Sequence, residues 1–304
     1  MDLSNNHVYL TGASGFIGGA IHNSLKGKHP LTALNREDIS ARIDQLKFDP
    51  DSTLIHSAAL VHMTHKKVPN IMQEYRKINR DITLALARQG LASGVKRFIF
   101  ISSLMVLGNS KTIDPLLSPQ PDEPYGISKW EAEQGLEELF SSQKDARCIT
   151  LRLPMVYGPG NKGNMLPLLK AASLKIPLPL AKARGKRSMI FIGNVCSAIE
   201  TILGDKLKRP TVETYIINDR HDMTSGQLYS LIFKSFHGKI RTFPISEKLL
   251  RAGGQAGSFI EKAFGKSMLL NKQNVARLFD EYSFSSDSFC HDYNWNPPFT
   301  PEEG

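Results

Sequence analysis

Thr11-Gly12-Ala13-Ser14-Gly15-Phe16-Ile17-Gly18 follows a short apolar run at His7–Leu10 and opens a segment of helical spacing. It therefore reads as strand, loop and helix. The three glycines have separate reasons. Gly12 allows a tight turn, Gly15 lets a bulky anion approach the backbone, and Gly18 permits close packing of helix on strand. Free N–H groups at the helix start, with the helix dipole behind them, suit a pyrophosphate. Glycine spacing alone is a weak signal, but in this context it points to a dinucleotide. Gly12, Ser14, Gly15, Phe16, Ile17 and Gly18 are then its expected neighbours.

Working outward, short apolar runs at Leu31–Leu34, Thr53–His56, Arg97–Ser102 and Cys148–Leu153 alternate with helical spacing at Gln73–Ser93 and Ser128–Phe140. Alternation of this kind, with right-handed crossovers, predicts an α/β fold: a Rossmann-like, doubly wound parallel sheet. After Leu153 the texture changes to Pro and Gly punctuation, at Pro154, Gly158-Pro159-Gly160, Pro167, Pro177 and Pro179, so a smaller C-terminal substrate-binding region is expected. Ser188–Ile192 and Thr214–Ile217 read as strands returning to the first sheet, which makes the two regions interleaved. The expected division is 1–153 with 189–220 for the dinucleotide, and 154–188 with 221–304 for the substrate. Gly253–Gly265 reads as a loop with a short helix.

The 304 residues are 41% hydrophobic and 22% charged, near globular averages, which excludes disorder, collagen and coiled coil. No apolar run reaches the roughly 20 residues of a bilayer span, and the N-terminus lacks signal-peptide regions, so a cytoplasmic protein is expected. Three scattered cysteines, Cys148, Cys196 and Cys290, argue for reduced thiols. The net charge of +9 is concentrated: between Asp145 and Glu200 there is no acidic residue, while Arg147, Arg152, Lys162, Lys170, Lys175, Lys182, Arg184, Lys186 and Arg187 all fall there. That field suits a small diphosphate. No nucleic-acid module accompanies it, so nucleic acid is not an expected partner.

At the end of the second strand stand Asn35 and Arg36, where a carboxylate would accept from the ribose of NAD. Arg36 could instead pair with a 2′-phosphate, which favours NADP over NAD, although Glu37 and Asp38 keep NAD open. Tyr125-Gly126-Ile127-Ser128-Lys129 sets a phenol and an ammonium one helical turn apart. A nearby cation favours phenolate, so Lys129 is expected to lower the Tyr125 pKa and make it a general acid or base. The strand Phe98–Ser103 ends in a serine at its carboxyl end, where doubly wound sheets bind ligands. Ser103 would hold the reacting oxygen beside Tyr125.

Together these segments resemble the extended short-chain dehydrogenase/reductases of the NAD(P)-dependent nucleotide-sugar epimerase/dehydratase family. The matching pieces are TGASGFIG at 11–18, HSAAL at 56–60, Asn79, FISSLMVLG at 100–108, YGISK at 125–129, LRLPMVYGPG at 151–160, GNMLP at 163–167, KRSMIFIGN at 186–194 and NWNPPFTPEEG at 294–304. The resemblance implies that Ser103, Tyr125 and Lys129 are catalytic, Ser103 and Tyr125 also touching substrate. It implies that Ser57, Ala58, Ala59, Asn79, Tyr125 and Lys129 line the cofactor with Asp38 and Ile39 near its adenine, and that Asn164 and Arg187 grip a nucleotide diphosphate. It also implies a UDP-sugar substrate, a homodimer through the helices at Gln73–Ser93 and Ser128–Phe140, and a role in nucleotide-sugar and surface-polysaccharide biosynthesis. Relatives usually continue past Pro301–Gly304 into a last helix, so truncation is an expectation.

Departures narrow the chemistry. Sugar 4,6-dehydratases carry an Asp-Glu pair after the hydroxyl residue, where this chain has Leu104-Met105, so elimination loses its acid and base. Met155 and Leu107 replace an Asn and a Tyr of the pattern and reshape the sugar pocket. The nearest texture is that of UDP-hexosamine 4-epimerases and 4-keto reductases. Hydride transfer at C4 is therefore expected, as epimerisation or as net reduction; a catalytically silent cofactor-binding regulator and a reductase of a non-sugar carbonyl are the alternatives. His62 and His65 lack a carboxylate partner pattern and Cys290-His291 lacks an acyl-transfer motif, so no metal site and no thiol chemistry are expected.

Overall fold

The computed structural model describes residues 6–61, 70–108, 119–161, 165–206, 209–239, 242–264 and 271–304. In chain order its elements are β1 (Val8–Thr11), α1 (Phe16–Leu25), β2 (Leu31–Leu34), α2 (Arg36–Arg42), β3 (Thr53–His56), α3 (Ile71–Arg76), α4 (Ile82–Ala92), β4 (Arg97–Ser103), α5 (Pro124–Ser141), β5 (Arg147–Leu153) and β6 (Met155–Tyr157). There follow α6 (Met165–Ser173), β7 (Lys186–Arg187), β8 (Met189–Phe191), α7 (Ile192–Gly204), β9 (Val212–Ile216), β10 (Met223–Thr224), α8 (Ser225–His237), α9 (Glu247–Phe264), α10 (Lys272–Phe279) and α11 (Asp287–Asp292).

The main sheet runs β2-β1-β3-β4-β5-β9 with every pairing parallel. Its strands are near-continuous apolar runs because both faces are covered. Alternate residues divide between two cores: Val8, Leu10, Ile55, Ile99, Ile149 and Leu151 lie under α1 and α7, while Tyr9, Leu54, Phe98, Phe100 and Cys148 lie under α4 and α5. The doubly wound expectation holds. Strand order reverses between β1 and β3, and such a switch point opens a crevice at the carboxyl ends of the strands.

Three local readings are corrected. The run at 188–192 does not rejoin the main sheet; β8 pairs in parallel with β6 as a separate ribbon, and of the two late strands only β9 returns. Pro154, without an N–H, ends the β5 ladder and turns the chain out of the sheet. The ribbon is then held by the Asp219 carboxylate, which accepts from Phe191 N (2.9 Å), Asn194 Nδ2 (2.7 Å) and the Tyr157 hydroxyl (2.7 Å). The helix expected over 73–93 is interrupted by a π-turn at Lys77–Asp81, between α3 and α4. Gly253, Gly254 and Gly257 sit inside an 18-residue helix, α9. A Cβ on Gly254 would lie 2.8 Å from Val275 and 3.0 Å from the Asn271 carbonyl, so close approach of α10 overrides the helix penalty of glycine.

Candidate active site

The loop after β1 is shaped by exclusion. Gly12 has φ +75°, and a Cβ there would lie 2.7 Å from Ala58 N; a Cβ on Gly18 would lie 2.1 Å from the Gly12 carbonyl. Only hydrogen fits at either place, so loop, first helix turn and the Ser57-Ala58 backbone after β3 meet in close contact. Ser14 and Gly15 are exposed at the mouth, and Phe16 and Ile17 pack inward on the core. The N-cap of α1 is Gly15, which makes no side-chain cap, and no acidic residue occupies the first turn. Backbone donors therefore face outward in a glycine cradle that fits a pyrophosphate.

At the end of β2, Asn35 and Asp38 are occupied with each other in a capping box that starts α2: Asp38 N donates to Asn35 Oδ1 (2.8 Å) and Asn35 N to Asp38 Oδ2 (3.3 Å). Ile39 turns into the apolar cluster of Tyr9 and Phe48. Asp38 and Ile39, the expected neighbours of an adenine, are thus drawn into the capping box and the core, whereas Arg36 is exposed at the first helical position.

Ser103 closes β4 and caps a 3-10 turn at Leu104–Leu107, its hydroxyl accepting from Met105 N (3.2 Å). Helix α5 begins with Pro124, a residue suited to a first helical position, and carries Tyr125 in its first turn. Its start abuts the Ser103 turn so closely that a Cβ on Gly126 would lie 2.3 Å from the Met105 carbonyl. Burial pushes the Tyr125 phenol up to about 12, the Ser103 hydroxyl opposing the rise and Tyr75 adding to it. The Tyr75 ring stands edge-on, 6.3 Å from that of Tyr125.

Lys129 lies one turn along and is 1% exposed. Its ammonium donates to the Ile101 carbonyl (2.7 Å) and sits 3.8 Å over the Phe100 ring. Burial pulls its pKa down to about 7, against a smaller upward pull from Glu133. The expected lowering of the Tyr125 pKa by Lys129 is therefore not what the structure gives. Both groups are pushed toward neutrality, and the lysine cation is held by strand β4. One turn further, Glu133 accepts from Ser102 Oγ (2.5 Å) and from Arg152 Nη2 (2.7 Å), clamping α5 to β4 and β5.

Asn79, in the π-turn, is fully buried and its amide is committed. Its Oδ1 accepts from Leu60 N (2.8 Å), while Nδ2 donates to Leu60 O (3.0 Å) and to Ser128 Oγ (3.0 Å). It ties the segment after β3 to the start of α5.

Arg187 stands on β7, paired with β10, its guanidinium 5.2 Å from the centre of the Tyr282 ring. The Tyr282 hydroxyl donates to the Leu104 carbonyl (2.8 Å), next to Ser103, so Arg187 borders the site through a residue that the sequence did not single out. Asn164 lies outside the described residues, as do His62 and His65. The acid-free segment overstates the field: Arg147 pairs with Asp205 (3.3 Å) and Glu213 (3.2 Å), and Arg152 with Glu133. Sequence reasoning also passed over His56, Thr11 and Thr83, buried polar residues around the switch point.

The model of the NAD dependent epimerase/dehydratase family matches residues 8–217. The chain belongs to that family. It is thus an NAD-dependent enzyme of the epimerase/dehydratase type, and the matched span contains the glycine cradle and Ser103, Tyr125 and Lys129. It is 28% identical to a UDP-glucose 4-epimerase of Vibrio cholerae over 98% of this chain and 92% of that one. It is 25% identical to the N-acetyl-alpha-D-glucosaminyl-diphospho-ditrans,octacis-undecaprenol 4-epimerase of Escherichia coli O157:H7, over 99% and 93%. Its fold is shared with a Bacillus cereus UDP-glucuronic acid 4-epimerase solved with NAD, at a TM-score of 0.73, 18% identity and coverage of 98% and 95%. No described helix is long and apolar enough to cross a membrane.

Proposed function

We propose that this enzyme is a 4-epimerase of a UDP-linked hexose or N-acetylhexosamine. The observation that carries the reading is the convergence of Ser103, Tyr125 and Lys129 at the carboxyl end of β4, on the same sheet edge as the glycine cradle. It is supported by two relatives that match along nearly the whole chain and are both 4-epimerases.

When bound, a nicotinamide dinucleotide would take and return the hydride at C4, with its pyrophosphate at Gly12–Gly18 and Lys129 at its ribose. Tyr125 accepts the proton of the C4 hydroxyl while Ser103 holds the same oxygen. After the keto sugar presents its other face, Tyr125 returns the proton, so one acid–base group acts in both directions. For Tyr125 to accept, its phenol must first give up its own proton, which burial opposes. Arg187 and Asn164 would hold the diphosphate, Arg187 by a two-pronged contact. Leu104 and Met105 offer no acid or base for elimination, so the C5–C6 bond is left alone. The product would enter surface-polysaccharide synthesis, and a homodimer through α3, α4 and α5 is part of the same reading.

One observation favours a second reading. Arg36, exposed beyond β2 where Asn35 stands in place of a carboxylate and Asp38 is drawn into the capping box, fits the 2′-phosphate of NADP, the cofactor of net 4-keto reduction. Denaturing the purified protein and identifying the released nucleotide separates the two. The epimerase reading expects near-stoichiometric NAD, together with retention of a C4 deuterium label when a UDP-hexose is converted. Empty protein that binds NADPH better than NADH, with loss of the label from C4, would replace it by the reductase.

A further inference from the structure

His56 ends β3 at the switch point, 1% exposed, between Thr11 and Thr83, which are both fully buried. Its ring lies parallel to that of Phe100 (8°), the ring that also carries the Lys129 ammonium on its face. Five hydrogen-bonding groups meet here, and their donors and acceptors can be assigned by elimination. The Thr83 hydroxyl has one proton and donates it to the Asn79 carbonyl (2.7 Å), so toward His56 Nε2 (2.9 Å) it can only accept. Nε2 therefore carries the imidazole proton. At the other side, Thr11 Oγ1 accepts from Ala58 N (3.2 Å) and is 2.7 Å from His56 Nδ1. With Nδ1 unprotonated, Thr11 donates to it. All donors then point one way: Ala58 N–H to Thr11, Thr11 to His56, His56 to Thr83, Thr83 to the π-turn.

This direction is a constraint. An imidazolium would aim a proton at Thr11 Oγ1, which already accepts from Ala58, and would leave the Thr11 hydroxyl proton without its acceptor. It would also add a second buried cation near Lys129, whose charge itself disfavours protonation of the ring. Among the described groups that face the ring, Thr11, Thr83, Phe98, Phe100 and Lys129, there is no carboxylate.

The two ends of the chain matter because of what they hold. Ala58 is the backbone against which Gly12 packs, so one end sets the depth of the phosphate loop. At the other end the π-turn carries Asn79, whose amide holds Ser128, and Ser128 in turn donates to the Tyr125 carbonyl (2.8 Å) in the first turn of α5. We infer that His56, as a neutral Nε2–H tautomer, is a positioning residue for hydride transfer: it sets the spacing between the phosphate loop and the helix that carries Tyr125. It touches neither substrate nor reacting atoms. The inference rests on the nicotinamide-dependent reading of the site, and its first test is independent of turnover.

That test is 15N NMR of the histidine rings in the full chain. A single Nε2–H tautomer at His56, unchanged between about pH 8 and about pH 5, is expected; an Nδ1–H tautomer, or titration within that range, overturns the inference. The second test uses isosteric pairs. Thr83→Val removes the hydroxyl but keeps the shape, whereas Thr83→Ser keeps the hydroxyl. Expected are a fall of roughly tenfold in kcat and a similar weakening of NAD binding for Thr83→Val, KM for the sugar nucleotide changing less than about threefold, with Thr83→Ser within about threefold of the parent. Equal losses in both variants, or none in Thr83→Val, would show that the hydroxyl chain positions nothing. If the parent turns over no UDP-sugar, the functional reading fails, while the tautomer and the NAD affinities still decide the placement of His56.

Discussion

The phosphate loop and the catalytic helix meet the same crevice but are held by opposite means. The loop is held by steric exclusion: Gly12 and Gly18 admit no Cβ, and backbone lies against backbone with no side chain between. The helix is held by buried polar groups, Lys129 on the Ile101 carbonyl, Glu133 between Ser102 and Arg152, and Ser128 on Asn79. Exclusion tolerates no substitution but costs no desolvation. Buried polar groups allow titration, and so proton chemistry, provided that each stays partnered. On the proposed reading, binding falls to the rigid side and proton transfer to the side whose charges the protein can tune.

The sharpest break in this comparison comes at Tyr125. Tyr125→Phe should lower kcat by about a thousandfold, within the range of a lost general acid–base, while NAD binding by calorimetry stays within about threefold of the parent. Next is the clamp behind the helix. Arg152→Met leaves Glu133 buried with Ser102 as its remaining side-chain partner and should cost about 3 to 5 kcal/mol in chemical denaturation. Glu133→Leu combined with Arg152→Met should recover most of that loss, because it is one-sided burial of charge that destabilises; a double variant as weak as the single one would refute the clamp.

On the excluded side, Gly18→Ala forces a Cβ to within 2.1 Å of the Gly12 carbonyl and displaces the loop. NAD affinity should fall on the order of a hundredfold, with thermal unfolding far less affected than in Arg152→Met. The smallest effect is in pH. The Tyr125 phenol, pushed up to about 12, must lose its proton to act as base, so kcat should rise with pH through the neutral range without levelling off, as a pH–rate profile would show. His56 also sets a pH limit on stability. Its pKa is lowered from 6.5 to about 3, so the unfolded chain binds a proton that the folded one refuses, and stability is lost as pH falls from 6.5 toward 3.

The same contrast explains what could be read in the sequence. The loop, β1 to β5 and the Tyr125–Lys129 spacing are local patterns, visible within a few residues, and the structure has them. The helix side depends on partners far apart in the chain: His56 meets Thr11 across 45 positions and Thr83 across 27, and Tyr282 reaches Leu104 across 178. No spacing rule announces such contacts. The Lys129 expectation failed for a related reason. Proximity of phenol and ammonium is legible from i and i+4, but the depth of burial that dominates both pKa values is not. In α9, glycine content suggested a loop because the packing of α10 against Gly254 is tertiary information.

The claim on which all of this turns is proton and hydride exchange at C4 with the cofactor regenerated in place. Its most direct measurement is incubation of the purified enzyme with UDP-galactose, and separately with UDP-N-acetylgalactosamine, without added reductant or oxidant, followed by chromatographic separation of the 4-epimers. Conversion of at least one to an equilibrium mixture of C4 epimers, over many turnovers per protein molecule, is the predicted result. Conversion of neither, while NADPH reduces a 4-keto sugar nucleotide, would contradict it.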